Sequence, residues 1–138
     1  MYSDDEFFRE LIGIFRMESA EHINTMKNGL PTLQTSDCSD WNSVIEEVFR
    51  AAHSLKGAAR TVGLIDIEPI GLQLEKLFGH LKMNKYSINA EVEDRLNNVI
   101  YELEAIINTI NDDGKVEGDT VILIRKLDEI QNILCEQV

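Results

Sequence analysis

An all-α fold is predicted for this chain: an antiparallel up-and-down four-helix bundle with a fifth helix appended at the C-terminal end. Three observations carry that expectation. Apolar residues recur at 3- and 4-residue spacing through five separate stretches, the pattern of helices with one buried face. The 138 residues hold only two prolines and are rich in Leu, Ile, Glu and Asn, which favours helix over sheet. Most connections between the stretches are short, and short connections make consecutive helices antiparallel neighbours. The length is one domain's worth, with residues 1–138 read as a single unit. Its four-helix core spans about 4–111, a linker covers 112–119, and the fifth helix runs over about 120–136.

Ser3 and Asp4 can cap a first helix that runs to about Leu33. Phe7, Phe8, Leu11, Ile14, Phe15, Ile23, Met26, Leu30 and Leu33 give it a wide apolar stripe, and Pro31 kinks or ends it. Gln34 to Ser39 is a loop, after which Ser39 or Asp40 caps a second helix from Trp41 to Val62. Gly63 stops that helix as the residue just past its end, and Asp66 is the expected cap of the third. Pro69 falls in the first turn of the third helix, where a missing N–H costs little. Its buried stripe is Ile67, Ile70, Leu74, Leu77, Phe78 and Leu81.

After a loop at Asn84 to Tyr86, Ser87 is read as the cap of a fourth helix ending near Asn111, with Ile88, Val92, Leu96, Val99, Leu103, Ile106 and Ile110 facing inward. The following NDDGKVEGD invites a calcium-loop reading. Its carboxylates miss the alternate positions that such a loop needs, so it is read as a flexible connector. Asp119 then caps the fifth helix, where Val121, Ile124, Leu127, Ile130, Ile133 and Leu134 are available for packing.

One stretch of the second helix stands apart: VFRAAHSLKGAARTVG, Val48 to Gly63. At about 100° per residue, His53, Lys56, Gly57 and Arg60 fall within roughly 100° of arc. The apolar residues Trp41, Val44, Val48, Leu55, Ala59 and Val62 centre about 160° away from His53. The imidazole is therefore expected on the outward face beside two cations. An imidazole in water titrates near pH ~6.5, so a large neutral fraction is available as a nucleophile. Phosphoryl transfer needs an aligned nucleophile and cations to share the phosphate charge, and Lys56 and Arg60 lie along the same stripe. Gly57 removes bulk next to the ring, where another protein's active site could approach. A glycine inside a helix costs about 1 kcal/mol against Ala, which invites an explanation from packing or access. The alternative is an ordinary basic surface patch holding an incidental histidine.

Glu75 falls at the border of the third helix's stripe. It lies about ten residues beyond the interhelical turn and His53 about ten before it, so the two are expected at matching heights. There it would accept a hydrogen bond from Nδ1–H and leave Nε2 as the attacking nitrogen. The alternative is that Glu75 pairs with Lys76 or faces water. His22 and His80 have no companion ligands and are read as surface residues; Cys38 and Cys135 are read as free thiols.

HSLKGAARTVGL, His53 to Leu64, resembles the phosphorylation-site motif of histidine phosphotransfer (HPt) domains, most closely that at the amino-terminal end of CheA-type chemotaxis kinases. The H-x-x-K-G core is met by His53, Lys56 and Gly57. The segment IEPIGLQLEKLFGHL resembles the family's next helix, where a glutamate orients the phospho-accepting ring, and Glu75 occupies that place. The family often carries a second site histidine three residues earlier; here it is Leu72, and no role is carried over to it. The CheA-type version also has the fifth helix. The resemblance implies that His53 takes a phosphoryl group from the ATP-binding domain of a histidine kinase and passes it to an aspartate of a CheY-like response regulator. Lys56 then contributes site electrostatics, and Gly57 and Arg60 partner docking.

The chain has no phosphate-binding loop of its own, so it is expected to bind no cofactor, ATP and Mg being used by the partner kinase domain, and not to be an autonomous enzyme. A net charge of −12 disfavours nucleic acid and anionic membranes and fits a partner with a basic rim. No apolar run approaches the length of a membrane span, and the amino terminus is acidic, so a cytoplasmic and monomeric domain is expected. Two other functions stay open beside this one. A non-catalytic helical adaptor would bind a partner with His53 incidental. A metal-binding bundle would need Glu-x-x-His pairs, which His22, His53 and His80 do not supply.

Overall fold

The computed structural model describes residues 4–35 and 39–136. Five α-helices follow one another: α1 (Asp4–Gly29), α2 (Trp41–Val62), α3 (Glu68–Asn84), α4 (Ala90–Asn108) and α5 (Thr120–Glu136), with a 3₁₀ turn at Leu30–Gln34. Among the described residues there is no strand, and no helix is long and apolar enough to cross a membrane. The bundle with a C-terminal fifth helix is thus the architecture present.

Several ends are set by the residues expected to set them. Pro31 opens the 3₁₀ turn that finishes α1. Gly63 closes α2 in the left-handed conformation at φ 82°, which a residue with a Cβ adopts only at a cost. Its N–H donates to the Arg60 carbonyl and that of Leu64 to the Ala59 carbonyl, which turns the chain back into α3. Asp119 caps α5 by accepting from the Ile122 N–H at 3.1 Å.

Other ends differ from expectation. Ser3 and Cys38 lie outside the described residues. Asp40 precedes α2 but makes no side-chain cap bond; instead the Ser43 hydroxyl donates to its carbonyl. Ile67 rather than Asp66 stands before α3. Asn89, not Ser87, caps α4, accepting from the Val92 N–H at 2.8 Å. The reason is tertiary: the Ile88 N–H donates to the Leu33 carbonyl and the Ile88 side chain enters the core, so the chain is still extended past Ser87.

The core is one continuous cluster drawn from all five helices. On α1 its members are Ile12, Phe15, Ile23 and Met26, whereas Phe7 and Ile14, expected inside, are about half exposed. Ile45 joins from α2 and Leu123 from α5, where Val121 faces outward. α1 packs on α2, α2 on α3 and α1 on α4, but no Cα of α3 comes within 8 Å of one in α4. α5 packs against both and so occupies the seam between them. Its Leu123, Leu127, Ile130 and Leu134 are at most 1% exposed. The connector before α5 is tied down. Arg16 donates to the Ile110 carbonyl, Arg9 and Arg16 both approach Asp112, and the Lys115 N–H donates to Asp113.

Candidate functional site

The α2–α3 hairpin brings His53, Lys56 and Glu75 together. His53 points outward from α2, its side chain 62% exposed, with Nδ1 at 3.2 Å from Oε2 of Glu75. The Glu75 side chain is only 17% exposed, held in the seam where it crosses from α3. Lys56, one turn along α2 from His53, places Nζ 2.7 Å from the same Oε2 and donates to Oε1 at 3.2 Å. With Nδ1 turned to the carboxylate, Nε2 is the ring nitrogen without a bonding partner among the described residues.

Burial works to raise the Glu75 carboxyl pKa. Hydrogen bonding to Lys56, then to His53, outweighs it, so the group sits below the ordinary glutamate value. Glu75 is therefore an anion at neutral pH, facing the imidazole from one side and the ammonium from the other. Such a carboxylate can fix the ring's tautomer and balance positive charge that develops on it. Lys56 does not stand free on the outer face as the helical wheel suggests: its side chain is 21% exposed and committed to Glu75. Arg60 extends further toward the turn, 76% exposed and 3.5 Å from Glu68. At Gly57 an added Cβ would meet nothing within 4 Å, so the space beside the ring is open to an incoming molecule. Leu72, three residues before Glu75, leaves an apolar side chain partly in solvent on the same hairpin.

A further residue shapes the site, and sequence reasoning passed over it. A Cβ on Gly71 would lie 2.9 Å from the backbone N and Cα of Lys56. Main chain cannot yield there as a flexible side-chain tip can, so glycine at 71 is what lets α3 approach α2 this closely. The signal was the same as at Gly57, a glycine inside a helix at a cost of about 1 kcal/mol. Gly71→Ala is expected to force the two helices apart and lower stability by about 1 kcal/mol. Overpacking costs ~1–3 kcal/mol, part of which the better helix propensity of alanine offsets. Urea unfolding measures the loss, and a midpoint at or above wild type would show that the seam has slack.

The remaining histidines lie elsewhere. His80 is half-buried rather than on the surface, its ring edge-on to Tyr86 at 5.6 Å. His22 lines a shallow groove with Thr25, Glu47, Arg50, Ala51 and Ser54.

The hairpin thus presents an exposed imidazole backed by a carboxylate, and comparison with known proteins assigns the family. The family model of the Hpt domain matches residues 10–106, and the chain belongs to that family. Among curated relatives, it is 29% identical over 119 residues to the chemotaxis protein CheA of Bacillus subtilis (strain 168), covering 86% of this chain and 17% of that protein. It is 28% identical over 120 residues to the chemotaxis protein CheA of Halobacterium salinarum, covering 84% and 18%. For that of Borreliella burgdorferi the values are 26% over 107 residues, covering 78% and 12%. The chain thus spans less than a fifth of the length of these relatives.

Proposed function

We propose that this domain carries phosphoryl groups in a chemotaxis-type phosphorelay in the cytoplasm, with His53 as the residue that is phosphorylated. Nε2 attacks the γ-phosphorus of ATP held with Mg²⁺ in the ATP-binding domain of a histidine kinase. The Nε2–P bond forms as the bond to the bridging oxygen breaks, and ADP leaves. In the second step a carboxylate oxygen of an aspartate on a CheY-like receiver attacks the same phosphorus. The electron pair of the N–P bond returns to Nε2. Through both steps Glu75 holds Nδ1–H and offsets the charge on the phosphorylated ring, while Lys56 keeps Glu75 in place. The observation that carries this reading is the 3.2 Å approach of Glu75 to the Nδ1 side of an imidazole otherwise open to solvent.

The test is incubation with a CheA-type kinase and radiolabelled ATP, followed by acid treatment. Label on a histidine nitrogen is released by acid, whereas label on the neighbouring Ser54 would survive it. Glu75→Ala is expected to slow transfer by about 10–100-fold, the scale seen when a histidine loses its orienting carboxylate. The helical signal stays unchanged, and an unaltered rate removes the orienting role. Gly57→Leu is expected to leave stability equal or slightly higher, since the added side chain projects into open space and leucine is the better helix former. The same change should impair transfer to and from protein partners by at least ~10-fold, the scale of a small misplacement of reacting groups. Wild-type transfer by that variant would show that no partner approaches at this point.

A further inference from the structure

The first helix carries more apolar surface than the bundle covers. On α1, Phe7, Ile14 and Met17 are 55%, 48% and 66% exposed, although the inward side of the same helix is filled by Ile12, Phe15, Ile23 and Met26. At about 100° per residue the three exposed residues fall within roughly 80° of arc. Glu10, Glu18 and Glu21 project into the same sector, all exposed and without an ion-pair partner among the described residues. The cations of α1 lie elsewhere, about 130° from the centre of that sector, and they are engaged. Arg9 and Arg16 approach Asp112, and Lys27 meets Glu104 at 2.6 Å. Among the helices only α2 and α4 pack on α1, and the residues buried there leave this sector in solvent.

Gly13 flanks the sector, beside Glu10 and Met17. A glycine inside a helix is destabilising relative to alanine, which asks for a packing reason. Gly71 has one in the backbone of Lys56, but a Cβ on Gly13 would meet nothing within 4 Å. The missing side chain therefore leaves a notch that serves no neighbour within the domain, and a second helix can seat close to the α1 backbone there.

We infer that the outward face of α1 docks a basic amphipathic helix. Its apolar side chains cover Phe7, Ile14 and Met17, and its Lys or Arg residues pair with Glu10, Glu18 and Glu21. An exposed apolar patch set among charges of one sign selects a partner that is apolar and oppositely charged. The net charge of −12 draws the same partner from a distance. Two other occupants fit worse. An anionic membrane meets three carboxylates at the point of entry, and a second copy of this chain brings Glu10, Glu18 and Glu21 against their own kind. The inference is independent of the phosphorelay reading, because His53, Lys56 and Glu75 all lie on α2 and α3.

The test uses the whole chain, isotopically labelled at its amide nitrogens. The probe is a helical peptide of about 18 residues with leucines at i, i+3, i+4 and i+7 flanked by lysines, and its twin carries glutamate for every lysine. The lysine peptide is expected to bind saturably and to shift α1 amides around Gly13 and Met17, with the glutamate peptide at least ~10-fold weaker. Gly13→Leu fills the notch and should weaken binding at least ~10-fold, while its unfolding midpoint stays at or above that of wild type. Met17→Lys, at an exposed position, should weaken it to a similar degree by repulsion, and His53→Gln should bind as wild type. Absence of saturable binding, equal affinity for the two peptides, or shifts confined to α4 overturns the docking face. Wild-type affinity in Gly13→Leu and Met17→Lys overturns it as well, as does weakened binding in His53→Gln. Self-association of the wild-type chain in sedimentation, abolished by Met17→Lys, assigns the face to a second copy and overturns the basic partner.

Discussion

Replacing His53 with glutamine abolishes acid-labile phosphorylation by kinase and ATP, an expected loss of at least ~10³-fold and in practice complete. The amide nitrogen of glutamine has its lone pair delocalised into the carbonyl, so no nitrogen nucleophile remains at that position. The substitution touches little else. The side chain is 62% exposed and contributes nothing to the apolar core, so helical content and unfolding midpoint should match wild type. Glu75 keeps its partner in Lys56, which stands 2.7 Å away whatever occupies position 53, so no buried carboxylate is orphaned. That separation of chemistry from stability makes the experiment decisive. Acid-labile label retained by the variant would place the acceptor on another histidine, and acid-stable label would indicate Ser54.

The largest effect on stability is expected from removing α5 by ending the chain at Gly118. Leu123, Leu127, Ile130 and Leu134 are almost fully buried in the seam between α3 and α4, and burial of each side chain is worth about 1.5–3 kcal/mol. Together they amount to about 6–12 kcal/mol at the upper bound, against a total stability of about 5–15 kcal/mol for a domain of this kind. The shortened chain is expected to lose its cooperative unfolding transition, seen by circular dichroism in a urea titration. α3 is one wall of that seam, so phosphorylation should fall as well, because Glu75 would no longer be held. A shortened chain with an unchanged midpoint would show that α3 and α4 close upon each other without α5.

Much of this was legible from residue order. The bounds of α2 follow from its apolar periodicity and from Gly63. The meeting of His53 and Glu75 follows from counting residues on either side of one short turn. What failed did so for identifiable reasons. Where two apolar residues are adjacent, as at Leu11–Ile12 or Val44–Ile45, spacing alone leaves the inward direction uncertain by about 100°. There the neighbouring helices decide, and they chose Ile12 and Ile45. The cap at Asn89 depends on a backbone bond from Ile88 to Leu33, which no local pattern encodes. Lys56 was assigned to the outer face because a helical wheel gives the direction of Cβ and not the reach of a four-carbon side chain toward a carboxylate on the next helix.

Every group of the site belongs to one hairpin, from Trp41 to Asn84, with Gly63 at its bend and Gly71 setting its width. α1 packs on its α2 arm and α5 on its α3 arm, and among the described residues neither they nor α4 contribute a side chain to the His53–Lys56–Glu75 cluster. The His53–Lys56–Glu75 cluster is in that sense a cassette. Transplanted onto another bundle able to cover the same apolar side, it should keep its geometry, while the three remaining rods are free to diverge.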